Sequence, residues 1–152
     1  MEYEIVTRKE MITAGISART GNHAPEMMQV IGKLWNRFFN EGMYEAIPGK
    51  VNGRALGIYT DYAGHEKSEY TVLTACEAER EPAGEEFAVC RIPAGRYARF
   101  TVKGEVHQAV AQGWEEIGRT DLPRAFLRDF EEYMDSQTDH AEINIYIGLR
   151  DV

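Results

Sequence analysis

The second half of this chain repeats the plan of its first half. In each half a strand-like segment leads into a helix that carries a tryptophan, and two more strand-like segments follow. These segments are 11–20, a helix starting at Pro25, 55–62 and 70–78 in the first half, and 96–102, 105–118, 130–133 and 143–147 in the second. A repeated unit of this kind buries its apolar face by packing against its copy. We therefore predict one domain over residues 1–152, with repeats at about 1–80 and 86–152 related by pseudo-two-fold symmetry.

Both helices are predicted from apolar residues at a spacing of three and four. The two stripes are Met27, Val30, Ile31, Leu34 and Phe38, and Val106, Ala109, Val110, Gly113, Trp114 and Ile117. A glycine costs a helix about 1 kcal/mol relative to alanine, so we expect the backbone at Gly113 to approach the sheet or a ligand closely. Two helices packed against many antiparallel strands predict an α+β fold.

Composition excludes several classes of function. The net charge of −8, from 25 acidic and 17 basic side chains, argues against direct binding of nucleic acid, which normally needs a basic face. No apolar stretch reaches the length of a membrane span, and residues 1–5 lack the features of a signal peptide. We therefore expect a cytoplasmic protein that binds neither nucleic acid nor membrane.

Cysteine and histidine usage argues against a metal centre. Cys76 and Cys90 have no CxxC spacing, and a pair of this kind in a reducing compartment is more often two buried thiols than a disulfide. The four histidines are scattered and none has metal-ligand spacing. We predict no metal site and no cofactor.

Two short strands of the second repeat carry carboxylates beside tyrosines. Alternation along a strand places Glu131 and Tyr133 on one face, and it places Glu142 on the same face as Tyr146. A carboxylate among aromatic rings suits a lipophilic cation, since cation–π attraction contributes about 0.5–2 kcal/mol and the acid supplies the opposite charge. The alternative is that these strands present a solvated polar face.

The order of the motifs resembles that of the GyrI-like small-molecule-binding domain. The matching segments are Gly-x-Tyr-x-x-Phe at 95–100, Trp114, Leu122 with Pro123, Phe-Glu-x-Tyr at 130–133, and 142–147. This superfamily includes the effector-binding domains of AraC-type and MerR-type multidrug regulators, as well as stand-alone proteins similar to the DNA gyrase inhibitor. The likeness covers essentially the whole chain.

The resemblance implies an antiparallel, concave sheet whose groove lies between the repeats, with the two helices behind it. It also implies that an acidic residue in the groove meets cationic aromatic ligands, and the matching positions are Glu131 and Glu142. The candidate ligand-binding residues are Glu131, Glu142, Tyr59, Tyr62, Tyr133, Tyr146, Trp35 and Trp114. The two tryptophans lie on helices, where core packing competes with a position at the end of the groove.

Three functions are compatible with these residues. The first is a stand-alone binder of hydrophobic, cationic aromatic molecules that acts in drug sensing or detoxification. The second, implied by relatives that open cyclopropane rings of alkylating natural products, is a hydrolase that uses Glu131 with Tyr133 and Tyr146. The third is a protein–protein function, in which the partner is a transcription factor or DNA gyrase.

Overall fold

The computed structural model describes residues 1–150 and contains one sheet of eight antiparallel strands with three helices. The strands are β1 (Glu4–Arg8), β2 (Met11–Gly21), β3 (Lys50–Ala63), β4 (Glu69–Ala78), β5 (Ala88–Ile92), β6 (Gly95–Gly104), β7 (Arg124–Tyr133) and β8 (Ala141–Leu149). The helices are α1 (Met27–Asn40), the short α2 (Met43–Ala46) and α3 (Val106–Arg119), and a single 3-10 turn spans His65–Lys67. The predicted α+β class is confirmed. Residues 151–152 of the predicted second repeat lie outside the described residues.

The strand order is β1-β6-β8-β7-β3-β4-β2-β5. Strands β1 to β4 of the first repeat correspond to β5 to β8 of the second, and with these correspondences the order is symmetric about its centre. The central pair, β7 and β3, joins the two repeats. The first strand of each repeat pairs with a strand of the other repeat. Arg8 of β1, from the first repeat, lies opposite Gly95 of β6, and Ile92 of β5, from the second repeat, lies opposite Met11 of β2. Only two residues connect β1 to β2, although these strands lie near opposite edges. The sheet must therefore curl until its edges meet at one end.

The core consists of three apolar clusters on the two faces of the sheet. On the helix-bearing face, α1 covers a cluster that includes Phe38 and Val72, and α3 covers a second one that includes Ile117 and Ile145. On the opposite face, a single cluster collects residues from all eight strands, among them Ile58 and Phe130. The curl of the sheet encloses this third cluster, so both faces are buried against apolar side chains.

Two local predictions are resolved by the structure. Cys76 and Cys90 are both buried and free, as predicted. The strand predicted at 130–133 is longer in the structure, where β7 begins at Arg124. The strand is irregular there, because Phe126 has a φ of +53° and the register with β8 shifts between Arg124 and Asp129. Such a bulge interrupts the alternation of apolar and polar residues by which a strand is recognised in a sequence.

Gly113 lies where α3 approaches the sheet, as its position in an apolar stripe predicts. A Cβ atom there would lie 2.9 Å from both Val102 Cγ1 and Ile145 Cδ1. We expect Gly113→Ala to lower the free energy of unfolding by about 1–3 kcal/mol through overpacking. The matched control is Gly32→Ala on α1, where a Cβ would meet nothing within 4 Å and should stabilise the helix by up to about 1 kcal/mol. Urea unfolding of both variants measures the difference, and a gain in stability for Gly113→Ala would contradict this account.

Candidate ligand-binding site between the two long helices

Glu131 is a buried carboxylate on the helix-bearing face, with 1% of its surface exposed. The indole N–H of Trp114 donates to its Oε2 over 2.7 Å, and the hydroxyl of Tyr59 donates to the same oxygen over 3.0 Å. The hydroxyl of Tyr133 donates to Oε1 over 2.7 Å. The helix α3 and the central strands β3 and β7 each contribute one donor, so the carboxylate lies where the two repeats meet.

Aromatic rings surround this carboxylate from both helices. Trp35 of α1 packs edge-on against Tyr133 with ring centres 5.3 Å apart, and Trp114 of α3 packs in the same way against Tyr59, also at 5.3 Å. Phe39, which is 51% exposed, stacks on the outer side of Trp35. We use the name aromatic cluster for Trp35, Tyr59, Trp114 and Tyr133, which together enclose Glu131.

Gly57 provides the space for this arrangement. It lies directly opposite Glu131 in the pairing of β3 with β7. A Cβ atom at this position would lie 2.7 Å from Glu131 Oε1 and 3.3 Å from Trp35 Cζ2. A side chain at this central position of the sheet would therefore displace the carboxylate or the indole ring. Sequence reasoning did not identify Gly57, because only the register between the two strands places it against the acid.

Burial governs the protonation of the site. It raises the pKa of Glu131, and the hydrogen bonds from Trp114, Tyr133 and Tyr59 oppose that effect only in part. Burial, together with the charge of Glu131, raises the pKa values of Tyr59 and Tyr133 well above their usual range, so both phenols remain hydrogen-bond donors. Within residues 1–150, no basic side chain forms an ion pair with Glu131.

Asp129, two residues earlier on the same strand, shows how a buried acid is neutralised in this fold. It is fully buried, and Arg124 Nη2 lies 2.7 Å from its Oδ2. The hydroxyl of Tyr62 donates to the same oxygen, and the backbone N–H of Gly148 donates to Oδ1 over 2.9 Å. Asp129 thus has three donors, as Glu131 has, but one of them carries a positive charge.

Tyr62 therefore binds Asp129 rather than Glu131. Tyr59 and Tyr62 would face opposite sides of a regular strand, because they are three residues apart. Asp61 between them has a φ of +54°, and the pairing of β3 with β4 shifts there. This bulge turns both rings to the helix-bearing face, where Tyr70 lies 5.3 Å from Tyr59 and 6.0 Å from Tyr62 between ring centres.

The structure does not bring Glu142 and Tyr146 to Glu131. The register pairs Tyr146 with Phe130, and the two rings stack at 4.6 Å within the cluster of the opposite face. Glu142 shares the face of Tyr146 by alternation, and its half-exposed carboxylate lies 3.7 Å from Lys103 Nζ. The expectation that Glu142 and Tyr146 share a groove with Glu131 is therefore corrected. Of the three residues considered for hydrolysis, Glu131 and Tyr133 are in contact, whereas Tyr146 lies on the opposite face of the sheet.

The position of Glu131 relative to the helices also differs from the one that the resemblance implied. Glu131 does not lie on the face away from the helices, because Trp35 and Trp114 of α1 and α3 close over it. Two surface cavities, of about 470 and 360 Å³, lie elsewhere, and Met1 and Thr101 line both of them. The two tryptophans thus lie over the candidate site and cover Glu131.

The duplicated sheet with its two long helices has the fold of a GyrI-like effector-binding domain, a class of domain that binds small molecules. The chain belongs to the family of integron-associated effector binding proteins, Cass2, whose family model matches residues 4–149. The resemblance inferred from the motifs is thereby confirmed. Sequence comparison with curated proteins gives no significant match.

Several solved structures share this fold. An integron cassette protein from the mobile metagenome of Vibrio cholerae is 24% identical, with a TM-score of 0.78 over 97% of this chain and 95% of that one. The protein SAV2435, solved bound to tetraphenylphosphonium, is 21% identical, with a TM-score of 0.81 over 99% and 94% of the two chains. A protein from Staphylococcus aureus MU50, described as a putative bacterial transcription regulation protein, is 21% identical, with a TM-score of 0.79 over 99% of each chain. At these identities the likeness shows a common fold.

None of the helices within residues 1–150 has the length and apolar content needed to cross a bilayer.

Proposed function

We propose that this chain binds hydrophobic cations with aromatic groups between α1 and α3, with Glu131 as the counter-charge. Such binding would suit a protein that senses or sequesters drug-like compounds. One observation carries the proposal: Glu131 is 1% exposed, accepts three hydrogen bonds and has no cationic partner among the described residues. An ionised carboxylate in such a place is costly, and a ligand that brings a positive charge reduces that cost.

The comparison with Asp129 supports this proposal from within the same strand. Both acids are buried and both accept three hydrogen bonds, but Arg124 compensates the charge of Asp129 alone. Asp129 has the guanidinium of Arg124 beside it, whereas Glu131 is surrounded by the rings of the aromatic cluster. Rings of this kind attract a cation by about 0.5–2 kcal/mol each and also present apolar surface to its substituents. A cation at Glu131 would take the place that Arg124 has at Asp129.

Ligand entry requires movement of the aromatic cluster. Trp35 and Trp114 cover Glu131, so at least one indole ring has to leave its position before a molecule of any size reaches the carboxylate. Trp35 is the better candidate, because it makes no hydrogen bond to Glu131, whereas Trp114 donates one over 2.7 Å. The exposed Phe39 ring, stacked on Trp35, would extend the apolar surface offered to the incoming molecule.

The geometry favours binding over hydrolysis. A catalytic acid–base pair needs a donor that points toward the reacting bond of the substrate. The hydroxyls of Tyr59 and Tyr133 both point at Glu131 instead. Tyr146, the other hydroxyl considered for this chemistry, lies on the opposite face of the sheet.

A matched pair of ions tests the proposal. Tetraphenylphosphonium and tetraphenylborate have nearly the same shape and opposite charges. Both tryptophans of the chain belong to the aromatic cluster, so their fluorescence reports on this site directly. We expect saturable binding of tetraphenylphosphonium with one ion per chain, and an affinity for tetraphenylborate that is lower by about tenfold or more. Equal affinities for the two ions, or no binding of the cation in titration calorimetry, would overturn the proposal.

A further inference from the structure

We propose that the site selects cations by the number of their N–H groups. It should favour quaternary ammonium, phosphonium and N-alkylated ring cations over primary ammonium ions on the same aromatic scaffold. This inference rests on the proposed function and concerns which cations the Glu131 site accepts.

The protein itself occupies most of the acceptor capacity of Glu131. A carboxylate offers about four lone-pair positions, two on each oxygen. Trp114 and Tyr59 occupy both positions on Oε2, and Tyr133 occupies one on Oε1. The one that remains lies on the oxygen that faces Gly57, where a Cβ atom would be 2.7 Å away. A ligand can therefore donate at most one hydrogen bond to this carboxylate.

A primary ammonium ion brings three N–H donors to this site. One of them can use the remaining position on Oε1, and the other two face aromatic rings or the phenol oxygens of Tyr59 and Tyr133. Neutral phenol oxygens are weaker acceptors than a carboxylate, because hydrogen bonds to ionised groups are roughly twice as strong. Burying an N–H group without a good partner is unfavourable, and a primary ammonium is also strongly hydrated before it binds.

A cation without N–H groups avoids that loss. It requires no hydrogen bond from the site, and its charge acts on Glu131 through space. Aromatic rings around a quaternary ammonium group form a well-known recognition arrangement, and the aromatic cluster supplies four of them. A tertiary ammonium with its single N–H matches the one remaining position on Oε1. The expected order of affinity therefore places quaternary and tertiary cations together, above the primary ion.

The test uses pyrenylmethylammonium and its N,N-dimethyl and N,N,N-trimethyl derivatives, titrated by calorimetry at neutral pH. We expect the trimethyl ion to bind wild-type protein on the order of tenfold more tightly than the primary ion. Added methyl groups also increase the buried apolar area, so the decisive quantity is the change of this ratio between proteins. In Tyr133→Phe a second acceptor position on Oε1 becomes free for the primary ion. The ratio of the trimethyl to the primary affinity should therefore fall severalfold, toward the value that the added apolar area of the methyl groups alone would give.

Tyr62→Phe is the matched control, because it also removes one tyrosine hydroxyl, but one that donates to Asp129 instead of Glu131. It should leave the affinity ratio unchanged. Tyr59→Phe frees a position on Oε2 and should act like Tyr133→Phe, which keeps the test available if one of the two variants does not fold. An unchanged ratio in both site variants, or a wild-type preference for the primary ion, overturns this inference and leaves the proposed function standing. Failure of all three cations to bind wild-type protein overturns the proposed function and this inference with it.

Discussion

Glu131→Gln is expected to weaken the binding of tetraphenylphosphonium at least about thirtyfold, which corresponds to about 2 kcal/mol or more. The substitution removes the counter-charge and keeps the shape of the side chain. The glutamine carbonyl can accept from Trp114 and Tyr59 as Oε2 does, and its amide can donate to the Tyr133 oxygen. The fold should therefore survive, and titration of tryptophan fluorescence or calorimetry measures the loss directly.

Glu142→Gln is the control for this experiment. It removes the same charge from the same repeat, but Glu142 lies half-exposed on the opposite face beside Lys103. Its affinity for tetraphenylphosphonium should stay within about twofold of the wild-type value, because exposed charges at a distance are screened. A similar loss in both variants would mean that the overall charge of −8 attracts the cation, rather than Glu131.

The pH dependence of binding supplies a second readout from the same two proteins. Burial raises the pKa of Glu131, so the neutral acid is retained to higher pH than for an exposed glutamate. A permanently charged cation binds the ionised form, and its affinity in wild-type protein should rise with pH by up to tenfold per unit until Glu131 is fully ionised. Tyr59 and Tyr133 remain neutral throughout, since their pKa values are raised. Glu131→Gln should remove this dependence.

Strand alternation predicts correctly which side chains share a face wherever the strand is regular. Glu131 and Tyr133 are two residues apart on β7, and the structure places both side chains together in a 2.7 Å hydrogen bond. The same rule correctly puts Glu142 and Tyr146 on one face of β8. It cannot say which face, because that depends on how β8 pairs with β7, and the pairing of Tyr146 with Phe130 turns both residues away from Glu131.

Other parts of the site depend on irregular backbone that composition does not reveal. Asp61 and Phe126 adopt positive φ values of +54° and +53°, although neither is glycine. The first bulge brings Tyr62 to Asp129, and the second lies in the segment that lets Arg124 reach back to the same acid. The duplication itself predicted the fold. The pairing of buried acids with their partners arises from tertiary contacts that span up to 72 residues of sequence.

Arg124→Met is expected to lower the free energy of unfolding at neutral pH by about 3–5 kcal/mol. Asp129 is fully buried, and without Arg124 it retains only the hydroxyl of Tyr62 and the N–H of Gly148. Removing the cationic partner of a buried pair leaves a charge that neutral donors compensate only in part. Urea unfolding measures the effect, and adding Asp129→Asn to Arg124→Met should recover a large part of the stability, since it removes that charge.

Arg99→Met provides the comparison, because Arg99 pairs at 2.9 Å with Glu4, whose side chain is 72% exposed. Its loss should stay below about 1 kcal/mol, as for other exposed pairs. The contrast bears on the proposed function as well as on stability. If Arg124→Met were as mild as Arg99→Met, this strand would tolerate a buried carboxylate without a counter-charge, and the absence of a partner at Glu131 would no longer favour a cation. If the loss is large, Glu131 bears a cost of the same kind whenever it ionises, which supports the proposal that a bound cation relieves it.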